Sequence, residues 1–207
     1  MSRLTVLTLA LVVLASLLAG CLPKPPSDSG LPPMERLALA IEAGNDKKAA
    51  AIADRILSSP DATIETFIEV RDLYARADKS AQAIAVVQRA LQALSNLPAR
   101  DEALLHNYLA ADSFALGDDD GARTEYELAL KIDPESSLIA NDYAYFIAER
   151  GGDLGRALRL AERALEDQPD HPTPLDTMGW VLHKMGEDDR ALEYLERSAR
   201  LEPRNPV

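Results

Sequence analysis

The single cysteine, Cys21, stands directly after Leu18-Ala19-Gly20, and a lone thiol can serve as nucleophile, metal ligand or acceptor for acylation. With no second cysteine it cannot close an internal disulfide, so the folded part must be stabilised by packing alone. The three histidines, His106, His171 and His183, are far apart and lack the short pairwise spacings of a zinc site. Asp118-Asp119-Asp120-Gly121 resembles a calcium loop only superficially, because the alternating oxygen ligands and the closing Glu are missing. It reads as a turn leading into a helix N-cap, as does Glu187-Asp188-Asp189. No Gly-rich phosphate loop or serine-centred elbow is present. The residues predict no enzyme, no metal and no cofactor, which leaves acylation at Cys21 and non-covalent binding.

The position of Cys21 decides its chemistry. Residues 1–20 carry Arg3, an almost wholly apolar run from Leu4 to Leu18 and then small residues, the order of a cleaved secretory signal. The run is shorter than the roughly 20 residues of a spanning helix. Its ending resembles the bacterial lipobox, which implies that Cys21 becomes a diacylated N-terminus on the outer side of a membrane. Two or more acyl chains hold a protein stably on a bilayer, each buried methylene contributing about 0.8 kcal/mol. Leu22 is not the Asp that favours inner-membrane retention, which points to the outer membrane in a two-membrane cell. Residues 21–33 then hold Pro23, Pro25, Pro26, Pro32 and Pro33 with Ser27, Ser29 and Gly30, the composition of an extended tether.

From Met34 to Val207 apolar residues fall at helical spacing and strand signals are missing, so residues 34–207 are expected to be all-α. The helix ends recur at Pro134, Pro169 and Pro203, which are 35 and 34 residues apart. Each proline lacks a backbone donor and moves its predecessor out of the α region, so it ends one helix and opens a turn. Counting back from Pro203 gives Ser198, Leu195, Ala191, Gly186 and Met178-Gly179. The unit before has Tyr143-Ala144, Gly151, Ala157, Ala161, Ala164 and Pro169, and the one before that Leu109-Ala110, Gly117, Ala122, Tyr126, Ala129 and Pro134. These residues resemble the tetratricopeptide repeat, a helix-turn-helix unit of about 34 residues. The resemblance is strongest over residues 103–136, 137–171 and 172–205.

Upstream, Tyr74, Ala83, Val87 and Ala90 fit a further unit, and Gly44, Ala49, Ala53 and Ile56 another, for about five repeats. The late small positions Ile56, Ala90, Ala129, Ala164 and Ser198 are separated by 34, 39, 35 and 34 residues. The long interval places either an inserted connection or an extended second helix at Leu94 to Arg100. The resemblance implies a right-handed superhelical solenoid, because one repeat alone cannot bury its apolar face and stacked repeats share a continuous core.

In such arrays the first helix of each repeat lines the concave groove. That assigns Asn107, Ala111 and Phe114, then Asn141, Tyr145 and Glu149, then Asp176, Trp180 and His183 to the candidate partner-binding face. Phe114, Tyr145 and Trp180 either pack between repeats or include at least one ligand contact. The basic members of the clamp that grips anionic C-terminal tails are missing, and Asp142, Asp176 and Glu149 surround the two asparagines. The groove therefore suits a basic or mixed basic and apolar protein or peptide segment.

Twenty-two Lys and Arg against 34 Asp and Glu give a formal net charge of −12, and removal of Arg3 makes the mature chain one unit more negative. Nucleic acid is excluded as a partner on this balance, and membrane attachment must come from the lipid and not from a basic patch. The acidity equally serves solubility. The sequence stops at Val207 soon after Pro203, which is expected to leave the last repeat uncovered, with Tyr194 and Leu201 as an apolar stripe that Arg190, Arg197 and Arg200 could instead shield. Two functions follow. One is a lipid-anchored, extracytoplasmic adaptor resembling the repeat lipoproteins of envelope assembly, secretion and pilus biogenesis; the other is a structural homo-oligomer joined through the last repeat.

Overall fold

The computed structural model describes residues 30–201. The signal segment 1–20, Cys21, the tether up to Ser29 and Pro203 lie outside the described residues. Ten helices and no strand occur among the described residues, paired in chain order. The pairs are α1 (Pro33–Glu42) with α2 (Asp46–Leu57), α3 (Ile64–Arg76) with α4 (Ser80–Ala93), and α5 (Ala99–Leu116) with α6 (Asp119–Ile132). They continue as α7 (Ser137–Arg150) with α8 (Leu154–Asp167), and α9 (Pro172–Lys184) with α10 (Asp188–Leu201). Five helix-turn-helix units in register make an all-α solenoid of the expected kind.

The turn inside each pair is set by one residue in the left-handed region. Gly44, Gly117, Gly151 and Gly186 have φ between 64° and 81°, which glycine adopts without a Cβ penalty. In the second unit no glycine is available, and Asp78 takes the position at φ 55°. Polar side chains then start the second helices. Asn45 accepts a hydrogen bond from the Lys48 amide, Asp118 from Gly121 and Asp153 from Arg156, at 3.1, 3.0 and 2.9 Å. The acidic run before Gly121 is thus a helix cap.

Small residues let the two helices of a pair approach. Ala83, Ala90, Ala122, Ala129, Ala157 and Ala164 are all fully buried, and a Cβ built on Gly179 would lie 2.6 Å from Leu195 Cγ. Large side chains fill the space between units. Tyr143 stacks on Tyr126 at 5.1 Å with an interplanar angle of 15°, and Phe146 lies 5.5 Å from Tyr126. Fully burying a side chain the size of Phe146 stabilises the fold by about 1.5–3 kcal/mol.

The 39-residue interval has a definite form. The helix α4 ends at Ala93, residues 94–98 form a connection with Asn96 at φ 60°, and the added helical length lies in α5, which has 18 residues. Neither an inserted connection nor an extended second helix accounts for the interval: the connection is about as long as the others, α4 has the usual 14 residues, and the extra residues lengthen the first helix of the third unit. First helices of neighbouring units pack directly as α1 on α3, α5 on α7 and α7 on α9. Between the second and third units that role passes to α4 against α5. Two large core clusters meet in α5, which gives Leu105 and Leu109 to one and Ala110 to the other.

Candidate functional site

On a helix, residues spaced i, i+4 and i+7 share a face. A repeat of about 34 residues returns that face to the same side of the stack. Along α5, α7 and α9 it brings four of the expected residues into one strip. Phe114 meets Tyr145 edge-on at 6.4 Å and Phe146 edge-on at 5.3 Å. One turn further along α7, Glu149 accepts a hydrogen bond from Trp180 Nε1 at 3.0 Å. The indole lies 5.5 Å from the His183 ring, and His183 Nδ1 is 2.8 Å from Asp188 Oδ1 on α10. Tyr145 is 40% exposed, Asp176 and His183 are exposed, and Phe114, Glu149 and Trp180 are half-buried. Burial pushes the Tyr145 phenol up, and the Glu149 and Asp176 carboxylates add to the shift. The strip thus combines aromatic surface with negative potential.

Asn107 and Asn141 take a different place. They are 2% and 5% exposed and close around a carboxylate instead of facing solvent. Asn107 donates from Nδ2 to Asp142 Oδ2 at 2.8 Å, and Asn141 donates to Asp142 Oδ1 at 3.2 Å. The Oδ1 atom of each amide is buried without a donor. Burial raises the Asp142 carboxyl above the usual aspartate range, and the two amides, with Arg71, offset only part of that. Asp142 was expected beside the asparagines as a groove acid, and it instead forms the centre of an internal polar knot. Ala111 is half-buried on the same helix.

Cations recur over the rings. Arg71 lies 4.4 Å from the Tyr108 centroid, Arg150 4.5 Å from Phe114, Arg156 4.7 Å from Tyr143 and Lys184 4.6 Å from Trp180. The arginines are also fixed by carboxylates on a neighbouring repeat: Arg71 by Asp112, Arg150 by Asp119 at 2.7 Å and Arg156 by Glu127 at 2.9 Å. The arginine–carboxylate pairs are what sequence patterns do not announce, because each partner lies on a different repeat, whereas Lys184 stands one turn from Trp180 on the same helix.

A recess of about 570 Å³ opens elsewhere, on the loop edge, lined by residues including Arg100, Asp133, Ser137, Leu138 and Asp167. No residue of the strip lines it. Among the described residues no helix is long and apolar enough to cross a membrane.

Residues 175–205 match the tetratricopeptide repeat model. They span the last helix pair, the unit whose Gly, Ala and Leu positions follow the pattern most fully. Over 170 residues the chain is 26% identical to the TPR repeat-containing protein PA4667 of Pseudomonas aeruginosa, covering 81% of this chain. The chain spans 28% of the length of that curated relative. Among solved structures, a MamA protein superposes with a TM-score of 0.57 at 15% identity, covering 83% of this chain and 90% of that one. YrrB, described as a TPR protein with an unusual peptide-binding site, superposes at 0.54 and 17% identity, covering 87% and 90%. The fold is a tetratricopeptide-repeat solenoid. Neither the matched repeat nor these relatives names a catalytic family.

Proposed function

We propose that this tetratricopeptide solenoid is an adaptor of the bacterial cell envelope, lipid-anchored through Cys21 and holding a protein or peptide segment on the strip formed by α5, α7 and α9. The observation that carries the binding role is the continuity of Phe114, Tyr145, Glu149 and Trp180 across three successive repeats. Aromatic residues with a polar edge, half-exposed and flanked by carboxylates, supply rigid contact area and favour a basic or mixed basic and apolar partner. The signal-like residues 1–20 and the lipobox-like Leu18-Ala19-Gly20-Cys21 support attachment to the outer face of a membrane, the outer membrane in a two-membrane cell. Envelope assembly, secretion and pilus biogenesis are the settings in which such an anchor and such a groove work together.

The test is crosslinking and capture from native envelopes with the full-length lipidated chain beside a Tyr145→Ala, Trp180→Ala double variant. Loss of a dominant partner from a variant with unchanged helicity supports the reading. A variant that captures the same partners removes the strip from consideration. Anchoring is checked separately: Cys21→Ser should release the protein from membranes, and a membrane-bound variant would argue against the lipid.

A second reading, self-association through α10, is favoured by Leu192 and Leu201, which are 56% and 48% exposed on that helix. Tyr194, in contrast, is half-buried against the core with Arg197 over its ring. Light scattering of Leu192→Glu, Leu201→Glu beside the wild type separates the two readings, since only self-association predicts a loss of mass.

A further inference from the structure

We propose that the indole face of Trp180 is the seat of an arginine side chain from the bound partner, and that Lys184 holds this seat as an internal stand-in until the partner displaces it. The inference rests on the adaptor reading and deepens it, by assigning one subsite and the chemistry that fills it.

The four cations within 5 Å of a ring centroid are not held alike. Arg71, Arg150 and Arg156 each donate a hydrogen bond to a carboxylate. The Lys184 ammonium lies over the Trp180 ring at 4.6 Å, with Glu149 Oε2 4.0 Å away, beyond hydrogen-bonding reach. It is therefore the loosest of the four. The Glu149 carboxylate, by contrast, is fixed beside the ring by the indole N–H at 3.0 Å. A cation here meets a π face and a positioned carboxylate together, and the resident lysine uses the second poorly.

The surroundings favour a cation of another shape. Glu149 on α7 and Asp176 on α9 both act on the exposed Tyr145 phenol, and Asp188 on α10 faces His183. Against them stand Lys184 itself and Arg150, which is engaged by Asp119. A lysine is a point charge that satisfies one acceptor at a time. A guanidinium is planar, stacks on an indole and presents several N–H donors in a fork, so that it can cover the ring and still donate to Glu149. The ring of Tyr145, edge-on to Phe114, offers an apolar neighbour to the residue beside that arginine. The occupant is thus a partner segment with an arginine next to an apolar residue.

Trp180 is the only tryptophan in the chain, so its emission reports this seat without a label. The full chain is titrated with a synthetic octapeptide of alternating arginine and leucine, with lysine-leucine and glutamate-leucine octapeptides as comparisons. The arginine peptide should give a saturable change, the lysine peptide a weaker affinity and the glutamate peptide none. Lys184→Gln frees the ring and should tighten the arginine peptide about two- to five-fold, the size of an exposed cation–π contact. Glu149→Gln should weaken it, with helicity checked by circular dichroism. An unchanged or weaker affinity of Lys184→Gln overturns the proposal, and an equal affinity for the lysine peptide overturns the arginine assignment. The adaptor reading fails by a different result, retention of the native partner by Tyr145→Ala, Trp180→Ala. Loss of that partner together with no tightening in Lys184→Gln would leave the strip standing and remove the seat.

Discussion

Arg71 on α3 grips Asp112 on α5 with two hydrogen bonds, Nε to Oδ2 at 2.9 Å and Nη2 to Oδ1 at 2.6 Å. The pair crosses the boundary at which direct packing between first helices gives way to α4 against α5. Arg71 is also stacked on Tyr108 and bonded to Asp72, and the Asp112 side chain is only 4% exposed. Removing the arginine leaves a buried carboxylate unpaired, which costs about 3–5 kcal/mol, whereas replacing both partners by apolar groups costs far less. Arg71→Met should therefore lower the urea midpoint sharply, and Arg71→Met, Asp112→Leu should recover most of the loss. A double variant as unstable as the sum of the singles would contradict this account.

Asp142 carries a pH dependence of known sign. Burial raises its folded carboxyl above the unfolded value of about 3.9. Between those two values the folded state binds more protons than the unfolded one, so stability falls as pH rises and the cost is complete above the folded value. Asp142→Asn removes that cost, and the Asn141 amide can turn so that its unpartnered Oδ1 accepts from the new side chain. The variant should be more stable than wild type at pH 7 by about 1 kcal/mol. Urea unfolding at pH 4 should show a smaller gap, and a gap that does not narrow would remove Asp142 as its source.

Gly179 sets how closely α9 lies on α10. A Cβ there would be 2.6 and 2.8 Å from Leu195 Cγ and Cδ2 and 3.1 Å from the Ala191 carbonyl oxygen. Helix propensity alone favours alanine over glycine by about 1 kcal/mol. Overpacking costs about 1–3 kcal/mol and should win. Gly179→Ala is expected to lower Tm, and a rise in Tm would show that the helices separate at little cost.

The left-handed turns make a paired prediction. Asp78 holds φ 55° with a Cβ in place, so Asp78→Gly should stabilise the second repeat, by about 0.5 kcal/mol once the entropy of glycine is deducted. Gly117→Ala, at φ 81°, should destabilise by about 1–2 kcal/mol. Thermal melts that show the same sign for both would mean that these turns are not governed by backbone strain.

The repeat was legible because its packing needs small residues at fixed intervals. Ala90, Ala129, Ala164 and Ser198 mark it in sequence and are buried where the helices meet. The second unit was faint because Asp78 occupies the turn that glycine marks elsewhere, and the extra length of α5 shifts the register after it. Helical spacing also put Phe114, Tyr145, Glu149 and Trp180 on one face, and in the structure they adjoin one another. It could not tell that Asn107 and Asn141 turn inward, because that depends on Asp142 being enclosed between α5 and α7. Nor could it pair Arg71 with Asp112, 41 residues away, or join the Trp180 indole N–H to Glu149 of the preceding repeat.

The core divides within α5. Every strip residue lies on α5, α7 or α9, so the first two repeats contribute no side chain to it. The two halves of the core share one helix and are tied across their boundary by the Arg71–Asp112 fork. Helix α5 therefore belongs to both halves of the core, so that a disturbance at Leu105 falls on the first half and one at Ala110 on the second.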